Sequence, residues 1–186
     1  MSAREARLLQ PDLMEADAAA APVAPSDALR ADVLRTALGH GALASFARRF
    51  GEIFDLAEPR ALELLGLAQR TDAPWQGVPL QLDANGDRVQ LLHFAGGPRV
   101  ASADCGIVAL APGVRFPLHE HGGDEWSFVL AGAAEEEGSG AAWLPGDLVH
   151  RPAGSRHAFR VTSREPLVLA VVLEAPIRMV GDATTR

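Results

Sequence analysis

The stretch "GVRFPLHEHGGDEWSFVLAG", residues 113–132, places two histidines two positions apart and a glutamate four positions later, inside a run with the composition of a β-core. Because residues i and i+2 of a strand point to the same face, His119 and His121 share one face. Gly122–Gly123 predicts a tight reversal, after which Glu125 begins the next strand beside the two imidazoles. The hairpin therefore indicates a divalent metal site, since imidazole favours Zn, Fe, Cu or Ni and carboxylate adds a hard oxygen donor.

A second segment, "GDLVHRPAGSRHAFRV" at residues 146–161, supplies another candidate ligand. Gly and Pro mark two turns around a short strand, and His157 opens the strand that follows. A ligand from this non-adjacent strand would give a site of three histidines and one glutamate with open positions for water or substrate. The isolated histidines are interpreted as ordinary core or surface residues: His40, His93 and His150.

The two segments match two spaced motifs. The first, G-x5-H-x-H-x3-E-x6-G, is matched by Gly113, His119, His121, Glu125 and Gly132. The second, G-x5-P-x-G-x2-H-x3-N, is matched by Gly146, Pro152, Gly154 and His157, with Val161 in place of the final Asn. The sequence thus resembles the cupin superfamily of RmlC-like jelly rolls.

This resemblance implies a mainly β, single-domain cupin, in which a conical antiparallel β-barrel (a double-stranded jelly roll) follows two or three N-terminal helices. It also implies that a divalent metal is held by His119, His121, Glu125 and His157. We expect zinc first, with iron, manganese or nickel as alternatives. The Asn that Val161 replaces is not a metal ligand in the family, so its loss does not affect this expectation.

The region 116–159 looks like the C-terminal cupin of the ChrR-type anti-sigma factors and their stand-alone relatives. The shared features are "H-x-H-x-G-x-E", "VL-x-G", the acidic "EEEGSG" and "GD-x-x-x-x-P-x-G-S-x-H". The best-known members bind zinc in this domain and act in oxidative-stress signalling, which implies a regulatory or sensor protein. The His/Cys zinc motif of their sigma-binding domain is not matched, because the N-terminal helices contain no cysteine. A sigma factor is therefore only an alternative partner.

The competing hypothesis is a small metal-dependent enzyme, such as a non-haem iron dioxygenase. O2 chemistry at iron needs few protein acids, whereas the absence of tyrosine excludes the tyrosine acid or base that several cupin isomerases and lyases use. Inward-facing aromatic residues would form an apolar pocket for a small molecule or reactive species. The candidates are Phe116, Trp126, Phe128, Trp143 and Phe159. Cys105 either lines this pocket or packs in the core.

Three regions are predicted along the chain. Residues 1–27 form an Ala/Pro-rich flexible leader, residues 28–70 two or three short helices, and residues 71–186 the barrel of short strands punctuated by Gly, Pro, Asn and Asp. We expect the helices to pack against the barrel or a dimer partner, and the protein to form a homodimer.

The composition restricts the partners further. The net charge of −7 argues against non-specific affinity for nucleic acid or an anionic membrane. One cysteine, Cys105, excludes an intramolecular disulfide. The sequence has neither a signal-peptide pattern nor a membrane-spanning apolar run, so we expect a cytoplasmic protein with no membrane partner.

Overall fold

The computed structural model describes residues 43–70, 72–77 and 89–180. Two α-helices, α1 (Ala47–Phe54) and α2 (Glu58–Ala68), follow a 3-10 turn at Ala44–Phe46. Pro59 lies in the first turn of α2, where its missing N–H is not needed. The predicted leader and the helix predicted near residues 28–38 lie outside the described residues. No helix in the described part of the chain is long and apolar enough to cross a membrane.

Within the described residues, eleven strands form two antiparallel sheets. The large sheet has the order β1-β2-β3-β10-β5-β8, and the small sheet the order β11-β4-β9-β6-β7. The strands are β1 (Gln76–Gly77), β2 (Val89–His93), β3 (Asp104–Leu110), β4 (Arg115–His121), β5 (Glu125–Ala131), β6 (Ala134–Glu136), β7 (Ala142–Trp143), β8 (Leu148–Arg151), β9 (Arg156–Val161), β10 (Leu167–Leu173) and β11 (Ile177–Met179). The mainly β, two-sheet architecture with N-terminal helices is as predicted.

The helices cover the outer face of the large sheet. Alternation along the strands separates the two faces: Ile107 and Val172 pack against the helices, whereas Val108 and Val171 line the interior of the barrel. The helices contribute their apolar sides to this outer core through Ala47, Phe50, Phe54, Leu62 and Leu65, all buried. The inner face of the same strands lines the interior of the barrel, where the candidate site lies.

The end of α1 is fixed to the barrel by polar contacts. Asp55 ends the helix in a left-handed conformation with φ of 55°. Its carboxylate accepts hydrogen bonds from the backbone N–H and the Nε of Arg99, at 2.9 and 2.8 Å. The amide of Gly97 donates to the carbonyl of Phe54 at 2.8 Å. These bonds hold α1 against the 3-10 turn at Pro98–Val100.

Cys105 belongs to the outer core. Its side chain is 2% exposed and lies among the residues that pack under the helices. Burial raises the pKa of its thiol. Of the two alternatives for this residue, the structure therefore shows packing.

Candidate metal centre

Three histidines meet inside the barrel on two neighbouring strands of the small sheet. His119 and His121 lie on β4 and His157 lies on β9, directly opposite His119. All three are buried, and one ring nitrogen from each lies within 4.8 Å of the others. The structure thus brings together the three histidines that the motifs single out.

A β-bulge in β4 explains how His119 shares the interior with an aromatic residue three positions earlier. Phe116 pairs with Phe159 and His119 with His157, and the register shifts between these two pairs. Regular alternation would send Phe116 and His119 to opposite faces. The bulge instead leaves their rings 4.9 Å apart inside the barrel. Pro117, within the strand, is a sequence signal for such an irregularity.

The predicted hairpin between the histidines and Glu125 is wrong in its topology. Strands β4 and β5 lie in different sheets and do not pair, so residues 122–124 form a corner between the sheets. A Cβ at Gly122 would lie 2.6 Å from the carbonyl oxygen of Pro176, and one at Gly123 would lie 2.9 Å from the amide nitrogen of Ala175. The two glycines are therefore needed for the close approach of this segment.

The ring nitrogens of the cluster fit a metal ion. Nδ1 of His119 lies 2.9 Å from the carbonyl oxygen of Pro117. Because a carbonyl oxygen only accepts, the proton of neutral His119 is on Nδ1 and Nε2 has a lone pair. Both nitrogens of His121 and Nε2 of His157 have no hydrogen-bond partner among the described residues. Buried polar atoms are rarely left unpaired, and three imidazoles suit zinc, iron, copper or nickel. The histidines present could thus hold a divalent ion.

Burial also keeps these imidazoles neutral. It lowers the pKa of His121 to about 4 and that of His157 to about 3, and it lowers the pKa of His119 as well. Neighbouring histidines and Arg151 act in the same direction on His121 and His157. Neutral imidazole is the form that ligates a metal.

Glu125 lies beside the cluster but outside the group of three. Its Oε2 is 3.4 Å from Nδ1 of His121, and its Oε1 accepts a hydrogen bond from the hydroxyl of Ser127 at 2.7 Å. Burial raises the pKa of the Glu125 carboxyl. Its role as the fourth ligand stays a prediction, as does the metal-binding role of the set as a whole.

Two residues outside the predicted ligand set lie on the other side of His157. Arg151 Nη2 is 2.7 Å from Glu136 Oε1, and Arg151 Nε is 3.4 Å from Nδ1 of His157. Glu136 Oε1 is itself 3.6 Å from the same Nδ1. The pairing of Arg151 with Glu125 across β8 and β5 places Arg151 on the inner face, which only strand register could have revealed.

A cavity of about 240 Å³ adjoins His119. Its polar lining residues are His119, Glu125 and Ser127. The remaining lining is apolar: Val89, Leu91, Val108, Leu110, Phe116, Trp143, Phe159, Leu169, Val171, Leu173 and Ile177. Three of the five candidate aromatic residues therefore form the pocket. Phe128 packs in the outer core, and Trp126 stacks on His150 with ring centres 3.9 Å apart.

The isolated histidines within the described residues are surface groups, as interpreted. His150 Nε2 lies 2.9 Å from a carboxylate oxygen of Asp124, and His93 Nδ1 lies 3.1 Å from one of Asp104. His40 lies outside the described residues.

Comparison with known proteins agrees with this geometry. Residues 106–173 match the family model of the cupin domain. This part of the barrel is therefore similar to the cupin domain. An RmlC-like cupin protein from Ralstonia eutropha JMP134 aligns with 59% of this chain and 68% of its own, at 17% identity and a TM-score of 0.50. An acetylacetone dioxygenase from Acinetobacter johnsonii aligns with 63% of this chain and 78% of its own, at 16% identity and a TM-score of 0.50. At these identities the likeness concerns the fold alone.

The chain also resembles dimethylsulfoniopropionate lyases. It is 38% identical over 80 residues to the lyase DddQ of Ruegeria pomeroyi, over 41% of this chain and 40% of the relative. The match therefore spans less than half the length of the curated relative. A chain from the crystal structures of the DMSP lyases RdDddP and RnDddQII aligns with 77% of this chain and 80% of its own length, at 20% identity and a TM-score of 0.50.

Proposed function

We propose that this protein is a regulatory cupin that holds one divalent metal ion on His119, His121 and His157, with Glu125 as the fourth ligand, and binds a small molecule or reactive species in the barrel. The observation that carries the proposal is the buried three-histidine cluster, in which His121 and His157 have unpaired ring nitrogens and His119 lines a 240 Å³ cavity. Zinc is the first candidate, by the resemblance to ChrR-type cupins.

The residues that line the cavity indicate how a ligand would be held. A bound metal would supply an electrophilic centre for one donor atom of the ligand. The rings of Phe116, Trp143 and Phe159 exclude water and contact the apolar part of the ligand. Apart from His119, the polar lining residues are Glu125 and Ser127. So small a polar set favours binding and sensing over a reaction with several proton transfers.

The large sheet offers a physical connection between the cavity and the helices. Val108 and Val171 line the cavity, whereas their neighbours Ile107 and Val172 pack on the helices from the opposite face of the same strands. Close-packed interiors transmit small displacements. A change inside the barrel therefore acts on the strands that support α1 and α2. We propose that these helices are the surface for a signalling partner, with a sigma factor as one alternative.

The test is metal analysis of protein expressed without a tag, combined with oxygen consumption. We expect about one tightly held zinc per chain and no oxygen uptake in the presence of small diketone or ring substrates. His119→Ala is the control and should contain no zinc. Iron(II) in the purified protein together with substrate-dependent oxygen uptake would replace the regulatory proposal with a dioxygenase.

The second candidate is a metal-dependent enzyme, favoured by the likeness to dimethylsulfoniopropionate lyase DddQ. The aromatic trio suits a sulfonium cation, because aromatic faces attract cations. Glu125 would then be the carboxylate of the lining available to accept a proton. Proton NMR of dimethylsulfoniopropionate incubated with metal-loaded protein tests this candidate. Consumption that His119→Ala abolishes would support the lyase, and an unchanged spectrum would eliminate it.

We further propose that the protein is a cytoplasmic homodimer. Cupin sheets commonly pair across subunits, and β8 and β7 are edge strands in the described structure. Sedimentation velocity at several concentrations measures the assembly state. A single species of monomer mass at all concentrations would contradict the homodimer.

A further inference from the structure

Two groups of opposite charge approach one nitrogen of His157. Arg151 Nε is 3.4 Å from Nδ1 and Glu136 Oε1 is 3.6 Å from it. The two groups are themselves paired at 2.7 Å. Their side chains are only 21% and 15% exposed. Solvent therefore screens this arrangement less than a surface ion pair.

The two neighbours require different tautomers of the imidazole. A guanidinium can only donate, so the contact with Arg151 needs a lone pair on Nδ1 and places the proton of neutral His157 on Nε2. An ionised carboxylate can only accept, so the contact with Glu136 needs the proton on Nδ1 and leaves the lone pair on Nε2. Nε2 is the buried nitrogen without a partner among the described residues. Only the Glu136 tautomer can present a lone pair there.

We propose that Glu136 is a positioning residue that holds His157 in its metal-binding tautomer, and that Arg151 opposes metal binding through the same Nδ1. The inference rests on the metal site of the proposed function and adds two residues that set its affinity. When the metal binds, the contact to Nδ1 passes from Arg151 to Glu136. The effect is confined to His157, because the tautomer of His119 is set by the carbonyl of Pro117.

The contacts of Arg151 allow this exchange without breaking its ion pair. Its Nη2 bonds to Glu136, whereas its Nε approaches His157, so the second contact can be lost while the first persists. Glu136 Oε1 has two lone pairs and accepts from both partners. The guanidinium also lies 5.8 Å from the centre of the Trp143 ring, which favours a cation at that place.

Zinc dissociation constants of the full-length variants, measured by competition with a chelator, test the proposal. Glu136→Met removes the acceptor at similar size, and we expect its dissociation constant to rise by about 10- to 100-fold, the usual effect of losing a partner of a metal-bound histidine. Glu136→Gln keeps a neutral acceptor and should give a smaller rise. Arg151→Met removes the competing donor and should lower the dissociation constant.

Glu137→Met is the matched control. Glu137 is the next residue, and it accepts a hydrogen bond from Arg115 at 2.6 Å. The variant therefore removes a comparable ion pair, and its zinc affinity should not change. Circular dichroism confirms that each variant is folded before titration. Equal affinities for Glu136→Met and wild type would overturn the role of Glu136, whereas failure of folded wild type to bind any metal would contradict the proposed metal site itself.

The tautomer itself can be observed. Long-range proton–nitrogen NMR reports which ring nitrogen of His157 carries the proton. We expect it on Nε2 in metal-free protein and on Nδ1 after zinc is added. A proton on Nδ1 in both states would show that Arg151 does not oppose the metal and would overturn that part of the proposal.

Discussion

The two faces of the large sheet differ in what they bury. On the outer face, helical side chains such as Phe50 and Phe54 are fully buried against strand residues such as Phe128. The inner face borders a cavity of 240 Å³ and a cluster of three buried histidines, two of which have unpaired ring nitrogens. A buried polar group without a partner costs about 1–3 kcal/mol. The large sheet thus separates a core that stabilises the fold from an interior in which histidines on β4 and β9 of the small sheet lower its stability.

Acidification of metal-free protein should have the largest effect on stability, because it acts on the histidines of the interior rather than on the outer core. His121 and His157 have pKa values of about 4 and about 3, against a usual 6.5. Between pH 6.5 and 4 the unfolded chain therefore binds more protons than the folded one, and the free energy of unfolding falls as the pH falls. Each pKa unit corresponds to about 1.4 kcal/mol, so the loss reaches several kcal/mol.

Urea unfolding at pH 7, 5.5 and 4 measures this loss. Other carboxylates also respond to acid, so the control is the double variant His121→Leu, His157→Leu, which keeps the outer core. We expect the wild type to lose more stability than the control over this range. Parallel pH profiles for the two proteins would show that the histidines do not cause the loss.

Truncation of the outer core should change stability without changing the site. Phe54 is fully buried and its ring packs 4.5 Å from that of Phe50 and 4.9 Å from that of Phe94. Phe54→Ala should lower the free energy of unfolding by about 3–5 kcal/mol. The zinc affinity of the folded variant should stay within a factor of about two, because the residue lies on the opposite side of the sheet from the histidines. A larger change in affinity would show that the packing of the helices is coupled to the metal site.

Metal binding should partly offset the destabilisation of the inner face. A ligand that binds only the folded state at 100 times its dissociation constant stabilises it by about 2.7 kcal/mol. Thermal unfolding with excess zinc should therefore show a higher Tm than unfolding with EDTA. The variant His119→Ala should show the same Tm in both conditions, and a zinc-dependent rise in that variant would place the metal elsewhere.

The contrast between the faces also explains what the sequence could predict. The convergence of His119 and His121 follows from alternation within one strand, and that of His157 from the second motif. Alternation cannot show which strands pair, so the assignment of β4 and β5 to one hairpin was wrong. It also could not reveal the bulge near Pro117 or the approach of Glu136 and Arg151 to one ring nitrogen. These features depend on the register between strands that are distant in sequence.

The smallest effect is expected at Cys105, which tests whether the outer face takes part in sensing. Thiol reactivity depends on the thiolate, and burial both raises the pKa of this thiol and removes it from solvent. A thiol reagent should label the folded protein only after denaturant is added, and Cys105→Ala should leave zinc affinity unchanged. Rapid labelling of the folded protein would contradict this expectation. If labelling also released zinc, and Cys105→Ala prevented that release, a reactive species would act on the thiol rather than on the metal. Slow labelling of the folded protein would show that Cys105 is not the point of attack for a reactive species.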